Sequence, residues 1–318
     1  MTTSRIVERA TRDSAAERQA LSRGLLATPA VIAPKYFYDA LGSALFGAIC
    51  ELPEYYPTRT ERAIFEAHRG DIARAIGRGG QFVDLGAGDC AKAPAWLRML
   101  FPIRYIAVDI ARQGIATALD AMAPEFPQTE MVGVVADFAD RFDLQDILTD
   151  APVTFFYPGS SIGNFAPEDA VVFLRAIHAH CTTRGASGLV IGVDTKKDPV
   201  RLAAAYDDAL GVTAAFNRNI LNHVNRILGS DFDPVAFAHR GLYNATAGRI
   251  EMHLEATTAL RVRIGNEQRA FAAGERILTE YSYKYAPDEF AALLERAGFR
   301  HRQLWQDERR DFAVFYAT

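Results

Sequence analysis

The sequence predicts an α/β fold, a doubly wound parallel sheet joined to a second, α+β domain. Three observations point there. Gln81-Phe-Val-Asp-Leu85 is an apolar run too short for a helix, followed directly by Gly86-Ala-Gly88 and by helical character from Lys92 to Leu100. Strand, glycine turn and helix in that order bring backbone close to a nucleotide. From Gln81 to Asp194, strand-like and helix-like segments alternate, which implies right-handed crossovers and a sheet covered on both faces. After Asp194 the alternation stops and a strand-rich stretch with one apolar face takes over.

Composition narrows the class. The chain has 318 residues, 49% hydrophobic and 23% charged, which allows one large or two moderate domains. A formal net charge of -4 leaves no basic surplus to grip a phosphate backbone, so no nucleic-acid partner is expected. Cys50, Cys90 and Cys181 lie far apart with no CxxC spacing. They suggest a reducing compartment, with neither a disulfide framework nor a zinc knuckle, and no metal is expected. The first residues lack an apolar stretch of signal-peptide length, and no run of 18 apolar residues occurs. A cytoplasmic, non-membrane protein is therefore expected. A monomer is expected, and no internal repeat is visible.

Taken in order, residues 1–30 are rich in Ala, Arg, Ser and Glu and read as helical or loose. Residues 34–46 are crowded with aromatics and contain Gly42-Ser43. Leu52-Pro-Glu-Tyr-Tyr-Pro-Thr-Arg59 is broken by two prolines. Thr58 and Thr60 are candidate caps for a helix over 60–76, and Glu61 favours Thr58 by capping-box spacing. Strands are expected at 81–85, 105–109, 130–136, 153–157 and 188–193, with helices at 91–100, 112–122, 140–148 and 167–182. Residues 197–230 read as helical, and 239–244, 249–254, 259–264 and 268–272 as strands. A helix over 287–297 closes at Gly298, and two strands, 301–307 and 310–317, finish the chain. The layout predicts one domain from 61–196 with 286–318, and a second, substrate-binding domain from 8–60 with 197–285.

Ligands of open α/β sheets sit at the carboxyl ends of the strands. Asp84, Asp109 and Asp137 mark three successive strands of this stretch. Asp-x-Gly-x-Gly at 84–88, with a second acid one βαβ unit later, resembles the S-adenosylmethionine (SAM) site of class I methyltransferases, whose sheet is Rossmann-like. A dehydrogenase would want a third glycine near 91, where this chain has Ala91, with Pro94 close behind. Under the methyltransferase reading Gly86 and Gly88 approach the methionine and ribose of the cofactor. Asp109 accepts from the ribose hydroxyls, Asp137 takes the adenine amine and Phe138 packs on the ring. Lys92 could pair with the cofactor carboxylate, or be a solvated helix charge. Each acid has a plainer reading as a turn former or cap. Phe155-Phe-Tyr-Pro-Gly-Ser-Ser-Ile-Gly-Asn-Phe165 reads as a small-residue substrate loop or, more simply, as a β-to-α turn capped by Asn164.

Segments outside this core carry a more specific likeness. Tyr36-Phe-Tyr-Asp with Gly42-Ser43, Leu52 to Arg59, Gly159-Ser-Ser-Ile-Gly-Asn164, Ala205-Tyr-Asp-Asp208, Phe216-Asn-Arg-Asn219, Arg249-Ile-Glu-Met252 and Thr279-Glu-Tyr-Ser-Tyr-Lys284 occur in this order. Together they resemble the histidine Nα-methyltransferase family of the ergothioneine pathway, over nearly the whole chain. The resemblance implies a two-domain, SAM-dependent enzyme that trimethylates the α-amine of L-histidine to hercynine and releases S-adenosylhomocysteine. It implies that Asn164 and Tyr206 hold the substrate carboxylate and that Gly159 contributes backbone near the amine. Glu280 and Ser282 would bind the imidazole, with Tyr55 at its other edge, and Tyr38, Phe46 and Met252 would line the pocket.

The residue types suit that chemistry independently. A neutral imidazole offers one donor and one acceptor, and a carboxylate, a hydroxyl and a phenol can satisfy either charge state. A buried Glu280 would reject a ring lacking the N–H. Alternation along a strand puts Glu280, Ser282 and Lys284 on one face and Tyr281 and Tyr283 on the other. No dedicated catalytic base is expected, since the α-amine needs only to be neutral and aimed at the methyl group. Tyr38 and Asn164 are the candidates for positioning it, with Tyr38 more simply a pocket wall. The alternatives are an N-methyltransferase for another amino acid or aromatic amine, a non-catalytic SAM-binding protein, and an NAD-dependent dehydrogenase.

Overall fold

The structure, a computed structural model, describes residues 4–9, 15–137 and 143–318. Among these the strands in chain order are β1 Arg5–Glu8, β2 Ala30–Val31, β3 Gln81–Leu85, β4 Arg104–Asp109, β5 Glu130–Val135, β6 Val153–Tyr157, β7 Gly188–Asp194, β8 Phe237–Asn244, β9 Arg249–Ala256, β10 Leu260–Ile264, β11 Glu267–Phe271, β12 Arg276–Tyr283, β13 Arg302–Gln306 and β14 Phe312–Ala317. The α-helices are α1 Ala15–Leu26, α2 Ala40–Cys50, α3 Tyr56–Ile76, α4 Ala93–Leu100, α5 Arg112–Met122, α6 Pro167–Thr182, α7 Pro199–Ala204, α8 Val212–Leu228 and α9 Pro287–Ala297. The chain divides into two units. One is Met1–Thr11, Thr60–Thr195 and Tyr285–Thr318; the other is Arg12–Arg59 and Lys196–Lys284.

The first unit holds an eight-stranded sheet in the order β1-β5-β4-β3-β6-β7-β14-β13. Its strands from β1 to β7 pair in parallel, and β14 runs antiparallel between β7 and β13. Every residue of β3, β6 and β7 is buried, as continuous apolar runs in a parallel sheet should be. Phe82 stacks on Phe156, and Trp96 and Phe65 close over the same ring. Chain order reverses at β3, with β4 on one side and β6 on the other. The carboxyl ends of those strands form the switch point where such sheets bind ligands.

The second unit is built on a four-stranded sheet, β2-β12-β9-β8. Alternate residues of β9 are buried, so Ile250, Met252, Leu254 and Ala256 face the core. Helix α8 covers the core with Phe216, Ile220, Leu221 and Val224. Two motifs noted in the sequence meet here. Asp39 caps α2 by accepting from the Gly42 N–H (2.7 Å), and it also accepts from Asn219 of α8 (2.8 Å). A Cβ at Gly42 would collide with the Phe37 carbonyl, so glycine is required by close approach.

Several local expectations change. Residues 5–8 form an edge strand beside β5, not a helix or loose arm; the short Ile6-Val7 pair gains its order from partners in β5, which no local pattern reveals. Helix α3 begins at Tyr56, ahead of the caps proposed at Thr58 and Thr60, because Pro57 fits the first turn, where no N–H is needed. The helix expected over 140–148 partly lies outside the described residues, and 145–147 are a turn. Residues 197–230 split into α7 and α8 at Gly211, which has φ 75°.

Candidate active site

In the first unit the glycine turn after β3 has φ 71° at Gly86 and 57° at Gly88, a region glycine enters without strain. The Gly88 N–H donates to Asp109 Oδ2 (2.9 Å), and the Ala111 N–H donates to Oδ1 (2.8 Å). Each carboxylate oxygen can accept twice, so Asp109 both braces the turn and retains acceptor capacity. A Cβ built on Gly88 meets nothing within 4 Å, so space lies open beside the turn. Asp84 is 3% exposed and accepts from the Tyr105 hydroxyl (2.9 Å). Burial pushes its pKa up to about 7, against the opposing hydrogen bond from Tyr105 and the charge of Lys92. Asp137 is half-buried just beyond β5, and Phe138 lies outside the described residues.

Lys92 donates to Glu61 Oε2 (2.6 Å), and Glu61 Oε1 accepts from the Gly159 N–H (2.6 Å). Glu61 is 1% exposed. It ties the start of α4 to the loop after β6, and Gly192 of β7 leaves room for it, since a Cβ there would strike Glu61 Oε1. In that loop Gly159 has φ 77° and Ser160 φ 58°. The Ser160 hydroxyl accepts from the Asp194 N–H (2.8 Å), which holds a left-handed serine in place. Among the described residues the side-chain amide of Asn164, at the loop's end, makes no hydrogen bond.

The second unit holds Tyr38, Phe46, Tyr55, Tyr206, Met252, Glu280 and Ser282 of the residues expected to bind substrate. Tyr38, Phe46 and Tyr55 succeed one another edge to face, with ring centroids 5.8 and 6.2 Å apart. Tyr206 lies 6.0 Å from Tyr55. Arg59 donates to the carbonyls of Leu52 (3.0 Å) and Tyr55 (3.2 Å), fixing the turn that presents Tyr55. Met252 is 1% exposed and pairs in register with Glu280 across β9 and β12. The register shifts between Leu278 and Glu280, a bulge that re-aims the following side chains. Glu280 is pushed up to about 7 by burial, opposed by the charge of Lys284. Tyr55 is raised well above the usual phenol range by burial first, then by Tyr206, Cys50, Tyr38 and Glu280. Among the described residues neither the Glu280 carboxylate nor the Tyr55 hydroxyl makes a hydrogen bond. Ser282, Tyr206 and Lys284 by contrast are hydrogen-bonded to one another with separations of 2.8 to 3.0 Å.

A family model described as histidine-specific, SAM-dependent methyltransferase matches residues 17–318. The chain belongs to this family. A histidine N-alpha-methyltransferase of Mycolicibacterium smegmatis is 41% identical over 314 residues, covering 96% of each chain. That of Mycobacterium tuberculosis is 38% identical over 311 residues, covering 95% of this chain and 94% of its own. More distant is a 4-dimethylallyltryptophan N-methyltransferase of Arthroderma benhamiae, 26% identical over 309 residues, covering 92% and 90%. The methyltransferase fold of the first unit is thus the class I, SAM-dependent one.

Sequence alone gives two residues of this methyltransferase no site role. It offers Glu61 only as a capping partner. Yet it precedes Ile64 and Phe65 by three and four positions, and these are 2% and 6% exposed; helical spacing alone puts it on the buried stripe. Phe216 is the hub of the aromatic wall, within 6.1 Å of the rings of Phe37, Tyr38 and Phe46. Lys92, offered as a cofactor contact, is engaged by Glu61. Among the described residues no group of three or more His, Cys, Asp or Glu could hold a metal, and no helix is long and apolar enough to cross a membrane.

Proposed function

We propose that this methyltransferase adds methyl groups from SAM to the α-amino nitrogen of L-histidine, up to trimethylation to hercynine, within ergothioneine biosynthesis. The observation that carries the substrate is the state of Glu280. A carboxyl group with its pKa near 7 and no hydrogen bond of its own, close enough to Tyr55 to raise that phenol, suits a ring N–H that would satisfy it. Ser282 and Tyr55 supply the further polar edges, and Tyr38, Phe46 and Met252 the apolar walls. Tyr206 is assigned to the substrate carboxylate. In the first unit Gly159 and Asn164 are assigned to the amino-acid end of the substrate. A monomer in the cytoplasm is the working expectation.

The residues around the glycine turn fit the donor: positive-φ glycines with open space at Gly88, and Asp109 with acceptor capacity to spare. We assign Gly86, Gly88, Asp109, Asp137 and Phe138 to SAM. Lys92 could reach its carboxylate while keeping Glu61, since an ammonium has three donors. When bound, SAM supplies an electrophilic methyl group on a positive sulfur. The chain's part is alignment. Its carboxylate- and ring-binding groups fix the amino acid at two points, which aims the amine lone pair. The amine must be neutral, and with an ordinary pKa of about 7.7–8.0 it loses its proton to solvent without a dedicated base.

Incubation of the whole chain with SAM and a panel of amino acids, followed by mass spectrometry, tests this reading. Successive methylation confined to L-histidine is expected. Preferential methylation of tryptophan or another aromatic amine would replace histidine as the substrate.

A further inference from the structure

Behind the hydroxyls of Tyr206 and Ser282 stands a buried ammonium. Lys284 is 1% exposed. Its Nζ lies 2.8 Å from Tyr206 Oη, 2.9 Å from Ser282 Oγ and 4.7 Å from the centre of the Tyr206 ring. The two hydroxyls are 3.0 Å apart. Burying an ammonium is costly unless its surroundings compensate, and a core position between β12 and its neighbours would be filled more cheaply by Leu or Met.

Proton accounting shows what the charge can do. An ammonium only donates, so it occupies a lone pair on each hydroxyl and can receive nothing back. The two hydroxyls own two protons, and the bond between them uses one. These bonds leave at most one proton of the pair for a third group. An apolar or amide side chain at 284 would impose no such direction.

We propose that Lys284 is a positioning residue that polarises this chain toward the substrate carboxylate. Its ammonium donates to Ser282 and Tyr206, Ser282 donates to Tyr206, and the Tyr206 hydroxyl donates outward to the carboxylate. Ser282 keeps a lone pair for a ring N–H. Each donor strengthens the next, because hydrogen bonds in series polarise one another, and a positive charge behind the phenol favours an anionic acceptor. The inference rests on the histidine reading and deepens it. It explains why Glu280, Ser282 and Lys284 alternate along the end of β12 and the residue after it: the carboxylate reads the ring, the lysine directs the hydroxyls, and the serine joins the two.

Calorimetric titration of L-histidine into the whole chain saturated with S-adenosylhomocysteine tests it. Lys284→Met should weaken binding by about tenfold or more, the usual worth of a charge-assisted hydrogen bond. Tyr206→Phe should cost a similar factor. The double variant should bind about as well as the weaker single one, since both remove the same chain. Losses that multiply would show that Lys284 acts elsewhere, and overturn the proposal. Should Lys284→Met fail to fold, as judged by its melting curve and cofactor affinity, Lys284→Gln stands in. Its carbonyl can accept from the hydroxyls and reverse the chain, so the same loss is expected, and wild-type affinity overturns the proposal. If the unmutated protein binds the cofactor product but no L-histidine, the substrate reading falls. If it binds and the variants bind equally, only the role of Lys284 falls.

Discussion

Asp84 and Glu280, one in each unit, are both carboxylic acids pushed up to about 7 by burial. Their surroundings differ in kind. Asp84 lies inside a fully buried strand and already accepts from Tyr105. Glu280 has a positive charge nearby and, among the described residues, no hydrogen bond. The first is part of a frame; the second is a valence waiting to be filled. The same division runs through the units. In the first, Asp109 spends both oxygens on backbone N–H groups, and Glu61 spends one on a backbone N–H and one on Lys92, so that both set the path of loops. In the second, Tyr206, Ser282 and Lys284 are bonded to one another's side chains. Backbone-directed carboxylates suit a donor shared by many enzymes, and side-chain networks suit the recognition of one substrate.

The largest effect expected of Asp84 is on stability against pH. In the unfolded chain Asp84 ionises near its ordinary value, whereas folded it holds its proton up to about 7. Between those values the folded state binds the extra proton, so this residue's contribution is complete at low pH and is lost as pH rises through the window. Asp84→Asn cannot ionise and keeps the acceptor for Tyr105. Its stability relative to the parent should rise by roughly 3–4 kcal/mol between about pH 4 and pH 8, read from denaturant melts. A difference that stays flat with pH would mean Asp84 is ionised in the fold.

Glu280→Ala should leave cofactor affinity nearly unchanged and strike the substrate instead. The expected loss in kcat/KM for L-histidine is about 2–4 kcal/mol, the range for removing a charged partner from a desolvated hydrogen bond. An equal loss of S-adenosylhomocysteine affinity would erase the distinction between the two acids.

How far the sequence reveals these roles follows the same line. The parallel sheet was legible because buried strands such as β3 and β6 are unbroken apolar runs, and the glycine turn because φ above zero demands glycine at 86 and 88. Backbone requirements leave a mark on residue type. The trio of Tyr206, Ser282 and Lys284 leaves no local mark, since residue 206 lies 76 and 78 positions from its partners 282 and 284. The roles of Tyr206 and Ser282 follow from the family resemblance, which gives Lys284 none. Residues 5–8 were missed for a related reason: a four-residue edge strand takes its conformation from its neighbour. Glu61 was legible in helical spacing, but its partners at Lys92 and Gly159 were not.

Glu61 also sharpens the idea of carboxylates as framework. Glu61→Gln keeps size but turns one acceptor into a donor, so either Lys92 or the Gly159 N–H faces another donor. With Lys92 partly exposed and able to turn to water, the expected cost is about 1–3 kcal/mol of stability. Because Gly159 opens the loop that ends at Asn164, kcat should fall more than the affinity for L-histidine. Full activity in a folded variant would free the loop from Glu61.

The smallest effect concerns the two faces of β12. Tyr281 and Tyr283 could have narrowed the substrate pocket had they turned inward. They gather instead around Arg249, whose guanidinium lies 3.6 Å from the Tyr281 ring centre and donates to the Tyr283 hydroxyl (2.6 Å). Alternation along the strand then keeps them off the face of Ser282 and Lys284. Tyr281→Leu should therefore cost only about 0.5–1 kcal/mol of stability, the worth of a partly exposed cation–π contact. Steady-state kinetics for L-histidine should stay within about twofold, a change below 0.5 kcal/mol. A marked shift in the ratio of histidine to tryptophan methylation would place Tyr281 on the recognising face and undo the separation of the strand's two sides.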